Sequence, residues 1–204
     1  MNQSDFDPLY PEGQIESKIV ASLERIAQSF RVLLWQESKA LSLSPIQIQV
    51  LIFLLSHSEH KRKVSYLAEE FDLTKATLSD TIKTLEQKGL ITKIYDPKDT
   101  RSYVIHLTET GRNLAYKTAF FANEIRTPIE QLPEASKEDL LQNLLHIISH
   151  LHQVGVITLQ RMCFNCVYYL PASGENLPYC KLLNQSLLIK DLRIDCPEHE
   201  LKVI

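Results

Sequence analysis

The sequence predicts a mainly α-helical chain with one small β-hairpin and a short cysteine-bearing tail. Three observations predict it. Apolar residues recur at helical spacing over most of residues 14–160. One pair of alternating apolar and polar runs flanks a polar turn between residues 90 and 107. Finally, all four cysteines, Cys163, Cys166, Cys180 and Cys196, fall in the last 42 residues, interleaved with Pro and Gly.

Each element has a local cause. Residues 1–13, with Pro8, Pro11 and Gly13, are expected to form a flexible tail. From Gln14, the residues Ile19, Leu23, Ile26, Phe30 and Leu33 recur at spacings of 4, 3, 4 and 3, the seam of a helix that packs on another helix. Ser44 before Pro45 supplies an N-cap and a first-position proline for a second helix running to about Ser56. Apolar side chains cover that helix on every side, so it is expected to be buried. A short amphipathic helix follows from Ser65 to Phe71, and Asp72-Leu73-Thr74 breaks the chain tightly. Thr74 caps the next helix, Lys75 to Lys88, with Leu78, Ile82 and Leu85 inward and Gly89 as its left-handed stop. Helix, short turn and helix in this order is a helix-turn-helix candidate.

The strands are expected at Leu90–Tyr95 and Tyr103–Leu107, with residues 96–102 as a long hairpin tip. Thr108 then caps a helix running to about Ile129, broken near Pro128 and Pro133. Ser136 and Asp139 open a last helix, on which Leu140, Leu144, Ile147, Leu151 and Val154 form one face. Leu141, Leu145 and Ile148 widen that stripe beyond what a single partner needs. The domains expected are therefore the tail 1–13, a helical unit 14–160 and a cysteine module 161–204.

Composition restricts function rather than assigning it. Lys plus Arg number 22 against 25 Asp plus Glu, a net charge of −3 that suggests no partner by itself. The longest apolar run, Val50 to Leu55, is six residues, far below the roughly 20 that cross a bilayer. The amino terminus carries acids where a secretory signal carries Lys or Arg. A cytoplasmic protein with no membrane partner is expected, and cysteines in that reducing compartment read as metal ligands or reactive thiols before disulfides.

Residues 43–117 resemble the MarR family of bacterial winged helix-turn-helix regulators. The residues that carry the likeness are Leu43-Ser44-Pro45, the run Leu73 to Ser79, the run Leu85 to Ile91, the turn Asp96 to Ser102, and Leu107-Thr108-Glu109-Thr110-Gly111. With its flanking helices the resemblance covers roughly residues 14 to 160. It implies a winged helix-turn-helix with dimerisation helices, double-stranded DNA as partner, a homodimer, and room for a small-molecule effector. It also implies a wing whose tip Arg sits against the minor groove: Arg101 matches that Arg, and Asp99 matches the acid that positions it.

The residues themselves fit a DNA-reading helix. Lys75, Thr77 and Ser79 offer donors on the face away from Leu78 and Ile82, and Lys83 lies one turn on, within reach of a phosphate. Lys98, Asp99, Arg101 and Ser102 complete the candidate DNA-binding set at the hairpin tip. The plainer alternatives are a Thr74 that only caps a solvated helix and an Asp99–Arg101 surface pair worth about 0–1 kcal/mol. Lys61-Arg62-Lys63 reads equally as a phosphate contact or as a solvated loop. From Lys61 to Arg101 nine basic residues face seven acids, a thin positive footprint. Asp80 stands where many relatives carry Arg, and there it either points away from DNA, accepts from a cytosine amino group or lowers affinity. The apolar seams of the first and last helices, with Phe120, Phe121, Ile125 and Ile129, call for a second copy or for burial against one another.

Cys163 and Cys166 are separated by two residues, so one turn of chain can aim both at one ion; Cys180 and Cys196 complete four thiolates. Zinc is the cofactor this set favours, with an iron–sulfur cluster as the alternative, since Cys196-Pro197 matches the Cys-Pro step after some cluster ligands. The second half lacks the paired spacing of a zinc ribbon, and free cysteines packed on the preceding helix are the plainer reading. A segment of about 40 residues rarely folds without such a staple. His146 and His150, four apart, read as solvated or dimer-facing, and His199 as an idle neighbour of Cys196. The function expected is a sequence-specific, dimeric transcription regulator on a pseudo-palindromic operator, not an enzyme, with a structural or sensory metal site. The sensory reading expects the tail to act through the helix that precedes it and the spacing of two recognition helices. The alternatives are a redox or metal-binding interaction protein, or a thiol or metal enzyme, with DNA binding secondary.

Overall fold

A computed structural model describes residues 4–7, 14–96, 99–174 and 176–202, with the side chains of residues 96 and 99–101 left out. Among the described residues seven α-helices precede the tail: α1 Ile15–Leu41, α2 Pro45–Ser56, α3 Val64–Glu70, α4 Lys75–Gln87, α5 Glu109–Thr118, α6 Asn123–Glu130 and α7 Glu134–Gln153. Strands β1 (Ile91–Asp96) and β2 (Asp99–Leu107) form an antiparallel hairpin between α4 and α5. The mainly helical, winged fold expected from the sequence is therefore present. No single helix among the described residues is long and apolar enough to cross a membrane.

The caps fall where the sequence puts them. Ser44 and Gln47 form a reciprocal capping box at the start of α2, with Pro45 at its first position. Helix α2 turns 94° away from α1 and is enclosed, with Ile48, Val50, Leu51 and Leu54 buried. Around it Leu67, Leu78, Ile82, Leu85, Ile91 and Ile105 close one core. Gly89 ends α4 at φ +67°, a left-handed conformation that costs a glycine nothing. Thr108 joins two of the quoted motifs: its hydroxyl donates to Gly89 O at 2.8 Å and accepts the Gly111 N–H at 3.0 Å. A methyl group on Gly111 would lie 1.8 Å from Leu90 O, so the glycine permits α5 to dock on the end of α4.

Two expectations are corrected. The helix expected from Thr108 to about Ile129 is two helices, because the chain breaks at residues 119–122, where Phe121 turns onto α1 and meets Phe30 edge-on at 6.3 Å. The expected end near Pro128 and Pro133 holds, since α6, with Pro128 inside it, stops at Glu130 and Pro133 directly precedes α7. The hairpin also pairs further than expected, from Ile91↔Leu107 to Asp96↔Asp99, with a register shift after Tyr95.

The tail holds three two-residue strands, β3 Tyr169–Leu170, β4 Tyr179–Cys180 and β5 Gln185–Ser186, in one antiparallel sheet. It packs on α7 through a second, smaller cluster of Leu145, Met162, Leu187 and Leu192, flanked by Leu141 and Ile148. This explains the wide stripe of α7. The helix gives Leu141, Leu145 and Ile148 to the tail and leaves Leu140, Ile147 and Val154 exposed.

Candidate nucleic-acid interface and thiol site

Helix α4 is anchored by Leu78, Thr81, Ile82 and Leu85 and presents Lys75, Thr77, Ser79, Asp80 and Lys83 to solvent. Thr74 accepts the Thr77 N–H at 3.1 Å, and the two hydroxyls lie 2.8 Å apart. Ser79 donates to Lys75 O at 2.7 Å. Thr74 and Thr77 thus satisfy one another and Ser79 bonds the helix backbone, all three at the exposed surface of the helix. An open groove of about 370 Å³ lies between the start of α3, the start of α4 and the wing, lined by Lys63, Ser65, Lys75, Ser79, Ser102 and Tyr103.

Three of the expected residues, Lys75, Ser79 and Ser102, meet in this groove, while Thr77 and Lys83 stand on the exposed face of α4. Lys98 and the side chains of Asp99 and Arg101 lie outside the described residues. Lys63 comes from the basic run that read equally as phosphate contact or solvated loop, whereas Ser65 and Tyr103 have no sequence signal for this role; the Arg62 carbonyl accepts the Ile105 N–H at 3.0 Å and so ties the start of α3 to the wing. That long-range bond has no local sequence signal. The basic run divides by role: Lys63 is exposed, Arg62 donates to His57 O at 2.6 Å, and Lys61 is buried at 5% exposure, so Lys61 is withdrawn as a phosphate contact. Two further lysines serve the fold, Lys88 donating to Ser42 O at 2.6 Å and Lys93 pairing with Glu86 at 2.7 Å.

The four cysteines are free thiols that line one cavity of about 30 Å³. A short 3₁₀ turn, closed by the Cys166 N–H on Cys163 O at 3.0 Å, holds the first pair. Cys180 ends β4, and Cys196 arrives on the loop after Asp195. The Arg193 N–H donates to Cys163 Sγ at 3.3 Å and its guanidinium to Cys196 Sγ at 3.6 Å. Burial pushes the Cys163 thiol above its ordinary pKa, and the neighbouring Cys196, Cys166 and Cys180 push it the same way. Sulfurs that raise one another's pKa as they ionise are what a divalent cation relieves. Among the described residues no three His, Cys, Asp or Glu donors are placed to hold a metal ion; what suits a thiolate-bound metal is the donor chemistry of four sulfurs on one cavity and the Arg193 N–H donors aimed at two of them. His199 sits at the edge, its ring 2.9 Å from Asn165 Oδ1, and His146 leans on Phe164.

Comparison with known proteins places this architecture. The MarR family model matches residues 41–102. The organic hydroperoxide resistance transcriptional regulator of Bacillus subtilis (strain 168) is 31% identical over 154 residues, 74% of this chain and 98% of that protein. The chain belongs to the MarR family. The regulator SarZ of Staphylococcus haemolyticus is 25% identical over 49% of this chain and 67% of its own. Among solved structures, the S. aureus MepR–DNA complex has a TM-score of 0.56 at 25% identity, covering 64% of this MarR-family chain and 96% of MepR. A MarR regulator from Methanosarcina mazei, 18% identical with a TM-score of 0.56, shares the fold. All four cysteines lie beyond the residues matched by the family.

Proposed function

We propose that this MarR-family chain is a sequence-specific DNA-binding transcription regulator that acts as a homodimer on a pseudo-palindromic operator. The observation that carries it is the groove in which Lys63, Ser65, Lys75, Ser79 and Ser102 converge beside the exposed face of α4. A helix with its side chains is about 10–12 Å across and the major groove about 12 Å wide, so α4 enters while the lysines meet phosphate. The relatives support a regulator rather than an enzyme, being described as transcriptional regulators, and MepR has been solved with DNA.

Unpartnered apolar faces support the homodimer. Ile19, Ile26, Phe30 and Trp35 of α1, and Leu140 and Ile147 of α7, are exposed in the single chain. A two-fold pairing through them sets two α4 helices about one DNA turn apart. A cleft of about 360 Å³ between α1 and α6, lined by Val32 and Ile125, is where a small-molecule effector would be sought. Residues 161–204 form the metal-binding module of this reading, with zinc on Cys163, Cys166, Cys180 and Cys196 closing a tetrahedral shell that serves structure or sensing. Four thiolates suit both zinc and a cluster, and zinc is the reading we prefer.

The test is selection from a randomised duplex library at low salt. The expected result is an enriched two-fold sequence with half-sites about one turn apart; a pool without one contradicts the proposal. Elemental analysis of protein purified without oxygen is expected to give about one zinc per chain in a colourless solution, and brown protein assigns the cluster instead.

A further inference from the structure

The residue that opens the tail, Arg161, reaches into the helix-turn-helix. It is 7% exposed, and its guanidinium makes five hydrogen bonds, as many as it has N–H donors. Nε and Nη2 donate to the two oxygens of Asp195 at 2.5 and 3.0 Å. Nη1 and Nη2 donate to the two oxygens of Glu70 at 2.7 and 3.3 Å, and Nη1 also to the Tyr66 hydroxyl at 2.8 Å. The fork therefore clamps one carboxylate from each region. Tyr66 and Glu70 belong to α3, and Glu70 is its last residue, four positions before Thr74 caps α4.

The other carboxylate belongs to the thiol site. Asp195 directly precedes Cys196, whose N–H donates to Arg161 O at 2.9 Å. Cys163 is stitched to the same loop, its N–H donating to Arg193 O at 3.2 Å. The position of the Asp195 carboxylate is thus fixed by the chain that carries two of the four sulfurs. Asp195 also accepts from His57 Nε2 at 2.7 Å, at the end of α2, where the His57 ring stacks on Phe53.

The network is built to respond when Asp195 moves. Burial and the adjoining Arg161 charge hold the buried Lys61 ammonium below its usual pKa. Two cations share this pocket, and with Asp195 withdrawn they face Glu70 alone among the acids named here. A guanidinium in that position loses its balancing charge and its hold on α3 weakens.

We infer that the four-cysteine site governs the DNA-reading unit within one protomer, by an Asp195–Arg161–Glu70/Tyr66 relay that locks α3 and the turn into α4 while the thiols hold a metal. The inference rests on the zinc reading above and supplies its route. When the thiols are unligated, the 193–196 loop loosens, Asp195 releases Arg161, and the α3–α4 turn relaxes out of the geometry that enters the groove. This route is separate from any shift of the dimer helices, because Arg161 contacts α3 of its own chain. Arg161 and Asp195 act as positioning residues and need not touch DNA.

The test is hydrogen exchange on the full chain, loaded with zinc and then stripped by a chelator, for the wild type and for Asp195→Asn and Glu70→Gln, with zinc measured on every sample. In the wild type, zinc is expected to slow exchange across α3 and residues 71–75 by about tenfold, a typical coupling between two sites. Each variant is expected to keep its zinc and lose that difference, its α3 exchanging alike with and without metal. Wild-type zinc effects confined to residues 161–202, or variants that retain the α3 response, overturn the relay while the zinc site stands. A chain that takes up no zinc overturns the relay and the zinc reading together. Exchange needs no DNA, so neither result depends on the operator, and the wild-type comparison decides even if a variant fails to fold.

Discussion

The helix-turn-helix and the cysteine tail are separated in the chain by the wing, α5, α6 and α7, and hold themselves together by different means. In the first, α2 sits inside a cluster of fully buried Ile and Leu side chains contributed by α3, α4 and the wing. In the second, Leu145, Met162, Leu187 and Leu192 are the buried set, one of them lent by α7, and no strand exceeds two residues. A core of the first kind stands on burial, at about 25 cal/mol per Å² of apolar surface. The second has too little to bury, and gathers four thiols and an ion-paired arginine instead. Under the proposed zinc reading, the tail's fold depends on its thiols in a way that the helix-turn-helix does not.

The largest effect that sharpens this contrast is expected from replacing Cys163 and Cys166 together by Ser. Structural metal supplies its binding free energy directly to folding, so the tail should lose protection from proteolysis between residues 162 and 202 while α2, α4 and β1 stay protected. A tail that remains protease-resistant without its thiols shows that the small cluster suffices. Next comes Ile82→Ala, which removes a fully buried side chain from the main core and is expected to cost about 2–5 kcal/mol of unfolding free energy. Denaturant titration checks it, and a loss under about 1 kcal/mol would mean that the site collapses around the cavity. The smallest effect is expected from Asp80→Asn. An exposed carboxylate on the face of α4 repels phosphate, and removing it should raise affinity for the selected duplex by up to roughly fivefold, as expected of an exposed charge. Weaker binding of that variant would instead assign Asp80 a contact with a base.

The same contrast decides how much was legible in the sequence. Caps and periodicity gave α2 and α4 nearly to the residue, because Ser44, Thr74 and Gly89 act through bonds to their own neighbours, whereas β2 starts four residues before the expected Tyr103 and α7 starts at Glu134 after Pro133, with no cap from Ser136. The break between α5 and α6 was not legible, since it comes from Phe121 meeting Phe30 ninety-one positions away, whereas the end of α6 before Pro133 was. The candidate DNA face was half legible. Lys75 and Ser79 follow from helical phase, whereas Lys63 and Ser65 join them only because Arg62 bonds to the wing. The four cysteines announce one site by spacing, and the cavity gathers them. Nothing in the sequence links Arg161 to Glu70 or turns Lys61 inward, because both depend on how the tail folds back over α3.

The account stands on the groove between α3, α4 and the wing being the DNA-facing surface, and the salt dependence of binding tests that most directly. Each phosphate contact contributes about −0.9 to the slope of log K against log salt concentration. For the selected duplex, the double substitution Lys63→Ala and Lys75→Ala is expected to weaken binding to all sequences alike and to make the slope shallower by about two contacts. An unchanged slope, with affinity intact, would contradict the assignment of this groove.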